Sequence, residues 1–258
     1  MTRDMGSLMT RGSTARHFDK KTARFFDMIS RRTGKAIMDY DMIQEGDKIL
    51  VGVSGGKDSL TLWNVMLHRQ TIAPIDFEII AIHIDNGLPG ANIPKLEAYA
   101  KSLGVPFHVE KGKLFKEDQP EELNCFWCSW NRRKALFQFA QKNGFRKIAL
   151  AHHMDDIVET ALLNQLFKGE LSAMNPCQEM FDGKVMIIRP LCYEREETIV
   201  QFIKSAGLAS FELCRCPVST RTQRSAMKAF FRDMAKVTPA AVPNFFNSLK
   251  NIQKEYLP

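Results

Sequence analysis

The sequence predicts an α/β protein built on a doubly wound, parallel, five-stranded sheet with helical additions at both ends. Three observations carry that prediction. Short apolar runs alternate with segments of helical spacing through the middle of the chain. The first of these runs passes directly into a Gly-Gly turn and then a helix. Polar and ionisable residues gather where strands end, as expected where a parallel sheet binds ligands beyond the carboxyl ends of its strands.

Taken in order, Ala15–Met42 reads as one or two amphipathic helices. Lys48–Val53 (KILVGV) is a buried strand, and Asp58–Arg69 follows with Leu60, Leu62, Trp63, Val65, Met66 and Leu67 at helical spacing. Glu78–Ile84 is the second strand, and Ile93–Leu103 a helix closed by Gly104. Pro106–Glu110 is the third strand, and Ser129–Lys142 a helix stopped at Asn143-Gly144. Lys147–Ala151 is the fourth strand, leading into a helix over Asp155–Phe167 with Asp155 as its N-cap. Val185–Ile188 is the fifth strand, and Glu194–Ser205 a helix ended by Gly207. Thr220–Lys236 and Val242–Gln253 complete the chain as helices. These readings divide it into a basic helical segment (1–42), an α/β domain (43–210) and a C-terminal helical segment carrying the late cysteines (211–258).

Composition narrows the function classes. With 258 residues, 45% hydrophobic and 25% charged, the chain is an ordinary globular protein, not a disordered or collagen-like one. No apolar run of about 18 residues is present, so no membrane partner is expected, and the polar N-terminus carries no secretory signal. The expected location is the cytoplasm. The net charge of +7 is concentrated at one end: residues 1–35 hold nine Lys/Arg against three Asp. A basic arm on a near-neutral body points to a polyanionic partner. Arg221, Arg224, Lys228, Arg232 and Lys236, three or four apart, add a basic stripe to one helix face.

The hexapeptide Ser54-Gly55-Gly56-Lys57-Asp58-Ser59 joins the first strand to its helix. Glycines let the backbone turn tightly and approach a ligand. The helix start offers free N–H groups and a positive dipole end, which attract an anion. Ser54 and Ser59 add hydroxyls and Lys57 a charge, while neither a Walker loop nor a G-x-G-x-x-G pattern is present. The second strand ends at Asp85, and the fourth runs into His152-His153-Met154-Asp155-Asp156.

Six cysteines occur, four of them in two close pairs, Cys125-x-x-Cys128 and Cys214-x-Cys216. In a cytosolic chain such pairs are metal ligands or redox groups more readily than disulfides. The first pair sits just before a helix, where the positive helix end favours thiolates. Zinc, an iron–sulfur cluster and a redox dithiol all remain open on spacing alone. Isolated Cys177 and Cys192 read as core residues.

The hexapeptide resembles the PP-loop of the ATP pyrophosphatase superfamily, whose fold is the adenine nucleotide alpha hydrolase type. The order of PP-loop, C-x-x-C, HH-x-DD, Ile188-Arg189-Pro190-Leu191, late cysteine and Gln223-Arg224 is similar to that of tRNA 2-thiocytidine synthetases over roughly residues 40–240. That resemblance implies ATP and Mg²⁺ at Ser54, Gly55, Gly56, Lys57, Asp58 and Ser59, with Asp85 and His153 beside the nucleotide and Asp58, Asp155 and Asp156 in catalysis. It implies a [4Fe-4S] cluster on Cys125, Cys128 and Cys216, the last preferred over Cys214 by its distance from Arg224. The implied partners are tRNA and a sulfur donor, either a cysteine desulfurase or free sulfide. Oligomeric state is left open, a homodimer included. The implied reaction adenylates the C2 carbonyl of an anticodon-loop cytidine and exchanges its oxygen for sulfur. The alternatives are a PP-loop sulfurtransferase acting on another base or a small molecule, a lysidine-forming ligase, and a non-catalytic metal-binding module.

Overall fold

The computed structural model describes residues 18–85, 87, 93–112, 125–208 and 223–256, with the side chains of 125–128 outside that description. In chain order the elements are α1 (Lys20–Asp39), β1 (Asp47–Gly52), α2 (Lys57–Ile72), β2 (Phe77–Asp85), α3 (Ile93–Leu103), β3 (Phe107–Lys111) and α4 (Cys125–Lys142). There follow β4 (Lys147–Ala149), α5 (Met154–Lys168), β5 (Cys177–Met180), β6 (Val185–Ile188), α6 (Glu196–Ser205), α7 (Gln223–Val237) and α8 (Ala241–Ser248).

The described strands form one sheet in the order β3-β2-β1-β4-β6-β5. Five strands are parallel, as expected, and correspond to the five predicted from the sequence. The sheet nevertheless has six: β5 pairs antiparallel with β6 at the edge. Its sequence, Cys-Gln-Glu-Met, has no apolar run, because an edge strand needs none. The sequence marks the hairpin by its Asp182-Gly183 turn, where Phe181, Asp182 and Gly183 all have positive φ.

β1 is buried on both faces. Ile49 and Val51 join one core layer with Leu60, Leu62 and Trp63 of α2, Ile29 of α1 and Phe202 of α6. Leu50 joins the other, with Ile82, Ile84 and Ile148 under Leu136, Phe139 and Ala140 of α4. α2 is buried at every position from Ser59 to Leu67, so it is the central helix of its layer. Trp63 stacks on Phe107 at 5.6 Å and meets Tyr99 edge-on. Each such fully buried side chain is worth about 1.5–3 kcal/mol of transfer free energy.

Helix boundaries depart from expectation where capping decides them. α1 is a single helix, with the Asp19 side chain accepting from the Thr22 N–H at 2.7 Å. α4 begins at Cys125, so the first cysteine pair lies in the helix's first turns and not in a loop before Ser129. The N-cap of α5 is His153, not Asp155, and that of α6 is Arg195. α8 stops at Ser248, leaving a short 3-10 turn at Lys254–Tyr256.

Chain order reverses direction between neighbouring β1 and β4, which is the switch point of this topology. The turn after β1 and the segment after β4 therefore open on one crevice. No helix among the described residues is long and apolar enough to cross a membrane.

Candidate active site

The loop between β1 and α2 is closed on one hydroxyl. Ser59 Oγ accepts from the backbone N–H groups of Ser54 and Gly55, each at 3.1 Å, and donates to the Gly56 carbonyl at 2.9 Å. Gly55 has φ +84°, a conformation that side-chain-bearing residues adopt only with strain. Gly56 is the N-cap of α2, and no side chain caps that helix. Its first-turn N–H groups are thus left for a ligand, an arrangement that accepts an anion.

Lys57 and Asp58 stand at that helix start. Lys57 Nζ lies 2.9 Å from Asp58 Oδ2 and 3.1 Å from Glu196 Oε1. Burial works against the ammonium, but the two carboxylates outweigh it and raise its pKa. Glu196 in turn binds Lys228 Nζ at 2.7 Å. Burial opposes its charge too, yet the two lysines pull it down to about 2, so this bridge stays ionised.

The segment after β4 faces the loop. His153 Nδ1 accepts from the Asp156 N–H at 3.4 Å, and Asp156 Oδ2 accepts from the His153 N–H at 3.0 Å, a reciprocal capping box. That use of Nδ1 leaves the proton on Nε2, which lies 3.7 Å from Asp58 Oδ1. Asp58 Oδ1 is buried without a hydrogen-bond partner. An orphaned carboxylate oxygen beside an uncapped helix start fits a Mg²⁺ held jointly with nucleotide phosphates, since Mg²⁺ takes one or two carboxylates plus phosphate oxygens. Among the described residues no three His, Cys, Asp or Glu form a closed metal cage.

The structure brings together Ser54 to Ser59, His153, Asp155 and Asp156, but it gives the aspartates different surroundings. Asp155 accepts from Arg195 Nε at 3.1 Å and from the Glu196 N–H at 2.8 Å, so it fastens the start of α6. Asp156 is shared between the cap and Arg224, whose Nε also lies 3.2 Å from Glu159. Asp85 ends β2 on the same rim of the sheet, where its Oδ1 accepts from the Gly87 N–H at 2.8 Å; no described contact joins it to the loop. Nearer the loop, buried His83 holds the Val53 carbonyl through Nδ1 at 2.8 Å.

Glu196 and Arg195 were not among the expected site residues. Their roles rest on partners far away in sequence, and acids in a first helical turn are too common to mark a site. The basic stripe of α7 is also partly committed, with Arg224 and Lys228 on the carboxylates of α5 and α6, and Lys236 on Asp233 of its own helix. Arg221 lies outside the described residues.

Cys125 and Cys128 are one turn apart in α4, hence on one helix face. Their side chains, and Cys214 and Cys216 entirely, lie outside the described residues. Cys192 is fully buried, a core residue as expected, and its thiol is pushed up to about 12 by that burial; Cys177, expected in the core, is only partly buried on the edge strand β5, where burial also raises its thiol.

Residues 26–213 match the PP-loop domain family. A tRNA-cytidine(32) 2-sulfurtransferase of Burkholderia orbicola (strain MC0-3) is 40% identical over 238 residues, covering 91% of this chain and 72% of that protein. One from Burkholderia mallei (strain SAVP1) is 39% identical over the same shares. The U34-tRNA thiolase NcsA from Methanococcus maripaludis, solved with its [4Fe-4S] cluster, shares the fold: its TM-score is 0.72 at 21% identity, over 92% of this chain and 81% of that one.

Proposed function

The chain belongs to the PP-loop family of tRNA-cytidine(32) 2-sulfurtransferases, and from that premise we propose that it is an ATP-dependent tRNA thiolase acting on an anticodon-loop cytidine. The observation that carries the reading is the uncapped start of α2, with Lys57 and Asp58 set against His153 and Asp156. This is a site for a polyphosphate whose α-phosphate is to be attacked.

In the proposed reaction the cytidine C2 oxygen attacks the α-phosphate of ATP, and pyrophosphate leaves. Sulfur then adds at C2 and AMP departs with the original oxygen. Activation is required because a carbonyl oxygen is a poor leaving group in neutral water. The backbone N–H groups at Gly56 and the first turn of α2, together with Lys57, stabilise the charge that develops on the phosphates. Asp58 Oδ1 is the ligand we assign to Mg²⁺, with Asp156 across His153 Nε2, which lies 3.7 Å from Asp58 and 3.5 Å from Asp156. At 3.7 Å from Asp58 Oδ1, His153 Nε2 is close enough to favour the carboxylate's charge but beyond hydrogen-bond distance. Asp85, on the sheet rim beyond β2, is assigned to the nucleoside end of ATP.

We assign Cys125, Cys128 and Cys216 to a [4Fe-4S] cluster. A cluster held by those three thiolates would leave one iron open to an exogenous sulfur, which is the chemistry this reaction needs. The sulfur itself comes from a desulfurase or from free sulfide. We propose 1–42, 43–210 and 211–258 as three segments of the chain built around one core, to which α1, α7 and α8 contribute Ile29, Phe231 and Phe246.

The test is an anaerobic assay with ATP, Mg²⁺, sulfide and unmodified tRNA. Pyrophosphate release that requires tRNA, together with 2-thiocytidine in the digested product, is expected. Pyrophosphate without a thiolated nucleoside, or none at all, overturns the reading.

A further inference from the structure

α4 packs on its sheet face against β2, β3 and β6. Between α4 and the β5–β6 hairpin lies a groove with a volume of about 980 Å³, floored by Leu150, Val185 and Ile187. Five cations line it: Arg133 and Lys134 from α4, Arg146 before β4, Lys184 of the hairpin turn, and Arg189 after β6. No Asp or Glu is among its described lining residues, and no ion pair joins any of the five to a described carboxylate. Glu179 of β5 alternates with the lining residues Gln178 and Met180, so it belongs to the strand's other face.

Arg189 is the most telling of the five. It is 6% exposed, yet among the described residues its guanidinium is held by neutral acceptors alone: Nε to His152 Nδ1 at 3.3 Å, Nη2 to Gln178 Oε1 at 3.2 Å, and Nη1 to the Asn175 carbonyl. A cation buried without a counter-charge is costly, and the fold bears that cost at the wall of an open groove. An anion entering the groove removes it.

The lips add a second kind of feature. Trp130 and Phe181, 53% and 55% exposed, both line the groove. Phe181 sits at φ +55°, a region a phenylalanine occupies only under constraint, and its ring is held edge-on against Phe137 at 5.1 Å. Exposed rings interleaved with cations are what a single-stranded nucleic acid requires, because bases stack on the rings while phosphates meet the charges. A second copy of this chain fits less well: an isologous contact would bring like charges together with no carboxylate in the lining to offset them.

We propose that this groove seats the single-stranded part of the tRNA anticodon loop, with a backbone phosphate at Arg189, flanking phosphates at Arg133, Lys134, Arg146 and Lys184, and bases stacked on Trp130 and Phe181. The inference rests on the reading of the chain as a tRNA thiolase, and it gives that reading a path. Trp130 is five residues after Cys125, about 8 Å along the helix, and His152 lines the groove next to His153. A strand lying here therefore leads to both ends of the proposed chemistry.

The test uses the full-length chain, an unmodified tRNA transcript, and binding isotherms over a KCl series. The double variant Arg146→Glu, Lys184→Glu changes two exposed rim residues remote from the phosphate loop. It should weaken tRNA at least tenfold and lower the salt slope by about 1.4–1.8, since each lost phosphate contact removes about 0.7–0.9 from it. ATP affinity should not change. Trp130→Ala, Phe181→Ala should weaken tRNA with the slope kept. Parental tRNA affinity in both variants overturns the groove but leaves the thiolase reading standing. Parental affinity joined to a shift in sedimentation would show the groove to be a contact between copies, and it also overturns the proposal. Failure of the parent chain itself to bind tRNA would remove the functional reading, and this inference with it.

Discussion

Glu196 Oε1 lies 3.1 Å from Lys57 Nζ, so the lysine of the phosphate loop is held in place by a carboxylate 139 residues further along the chain. The same carboxylate binds Lys228 of α7, which makes Glu196 the joint between the starts of α2 and α6 and the C-terminal helices. Glu196→Gln keeps the shape and removes the charge. The expected result is a rise in the KM for ATP of about tenfold, equivalent to about 1.4 kcal/mol, as Lys57 loses its restraint. Because the two lysines hold Glu196 down to about 2, its contribution to stability is complete above the ordinary glutamate range and is lost as pH falls from about 4.5 towards 2. Acid unfolding of the variant, followed by circular dichroism, should lose part of that slope; an unchanged acid limb would place the bridge outside the stability of the fold.

Lys57 itself carries the charge that meets the phosphates. Lys57→Met should lower tRNA-dependent pyrophosphate release by at least about 100-fold, or roughly 2.7 kcal/mol of barrier, with only a modest fall in the thermal midpoint as Asp58 and Glu196 lose a partner. Retained activity would move the phosphate site elsewhere.

Gly55, at φ +84°, tests the loop by its backbone alone. Gly55→Ala places a side chain in the left-handed region at a cost of about 1–2 kcal/mol. Its N–H is also one of two that Ser59 Oγ holds. The expected variant is folded but binds ATP poorly in calorimetry. Parental ATP affinity would show that the loop tolerates another conformation.

These tests divide along the line between local and distant information. The strand–Ser-Gly-Gly-Lys-Asp-Ser–helix unit and the polar run after β4 were legible because apolar periodicity, glycine and helix-start chemistry are written within a few neighbouring residues. β5 was not, because an edge strand of Cys-Gln-Glu-Met has no apolar run to announce it. His153 displaced Asp155 as N-cap because the imidazole reaches the Asp156 N–H while Asp155 is drawn away to Arg195. Pairings such as Arg224 with Asp156 and Glu159, or Arg32 with Glu194, join distant segments through the fold, and no spacing rule encodes them.

The metal assignment separates the two kinds of cysteine. Cys125→Ala should yield a colourless anaerobic preparation that has lost its iron and its thiolation. Cys192→Ala, at a fully buried thiol, should keep the brown colour and about four irons per chain while melting several degrees lower. Iron retained in the first variant, or stoichiometric zinc in the parent protein, would refute the cluster.

Glu194 offers a pH test independent of catalysis. Its side chain is fully buried, one oxygen accepts from Arg32 Nη1 at 3.2 Å, and the other has no partner. Burial pushes the carboxyl up to about 7 even though Arg32 opposes the shift. The group is therefore protonated more readily in the folded chain than in the unfolded one. The sign follows from linkage: its contribution to stability is fully present below about 4.5 and is lost as pH rises through about 7. Urea midpoints measured between pH 5 and 8 should fall with pH in the parent. In Glu194→Gln, which cannot ionise, that part of the fall should vanish, leaving the variant the more stable of the two at pH 8. The opposite order at pH 8 would mean that the Arg32 ion pair outweighs the burial of the charge.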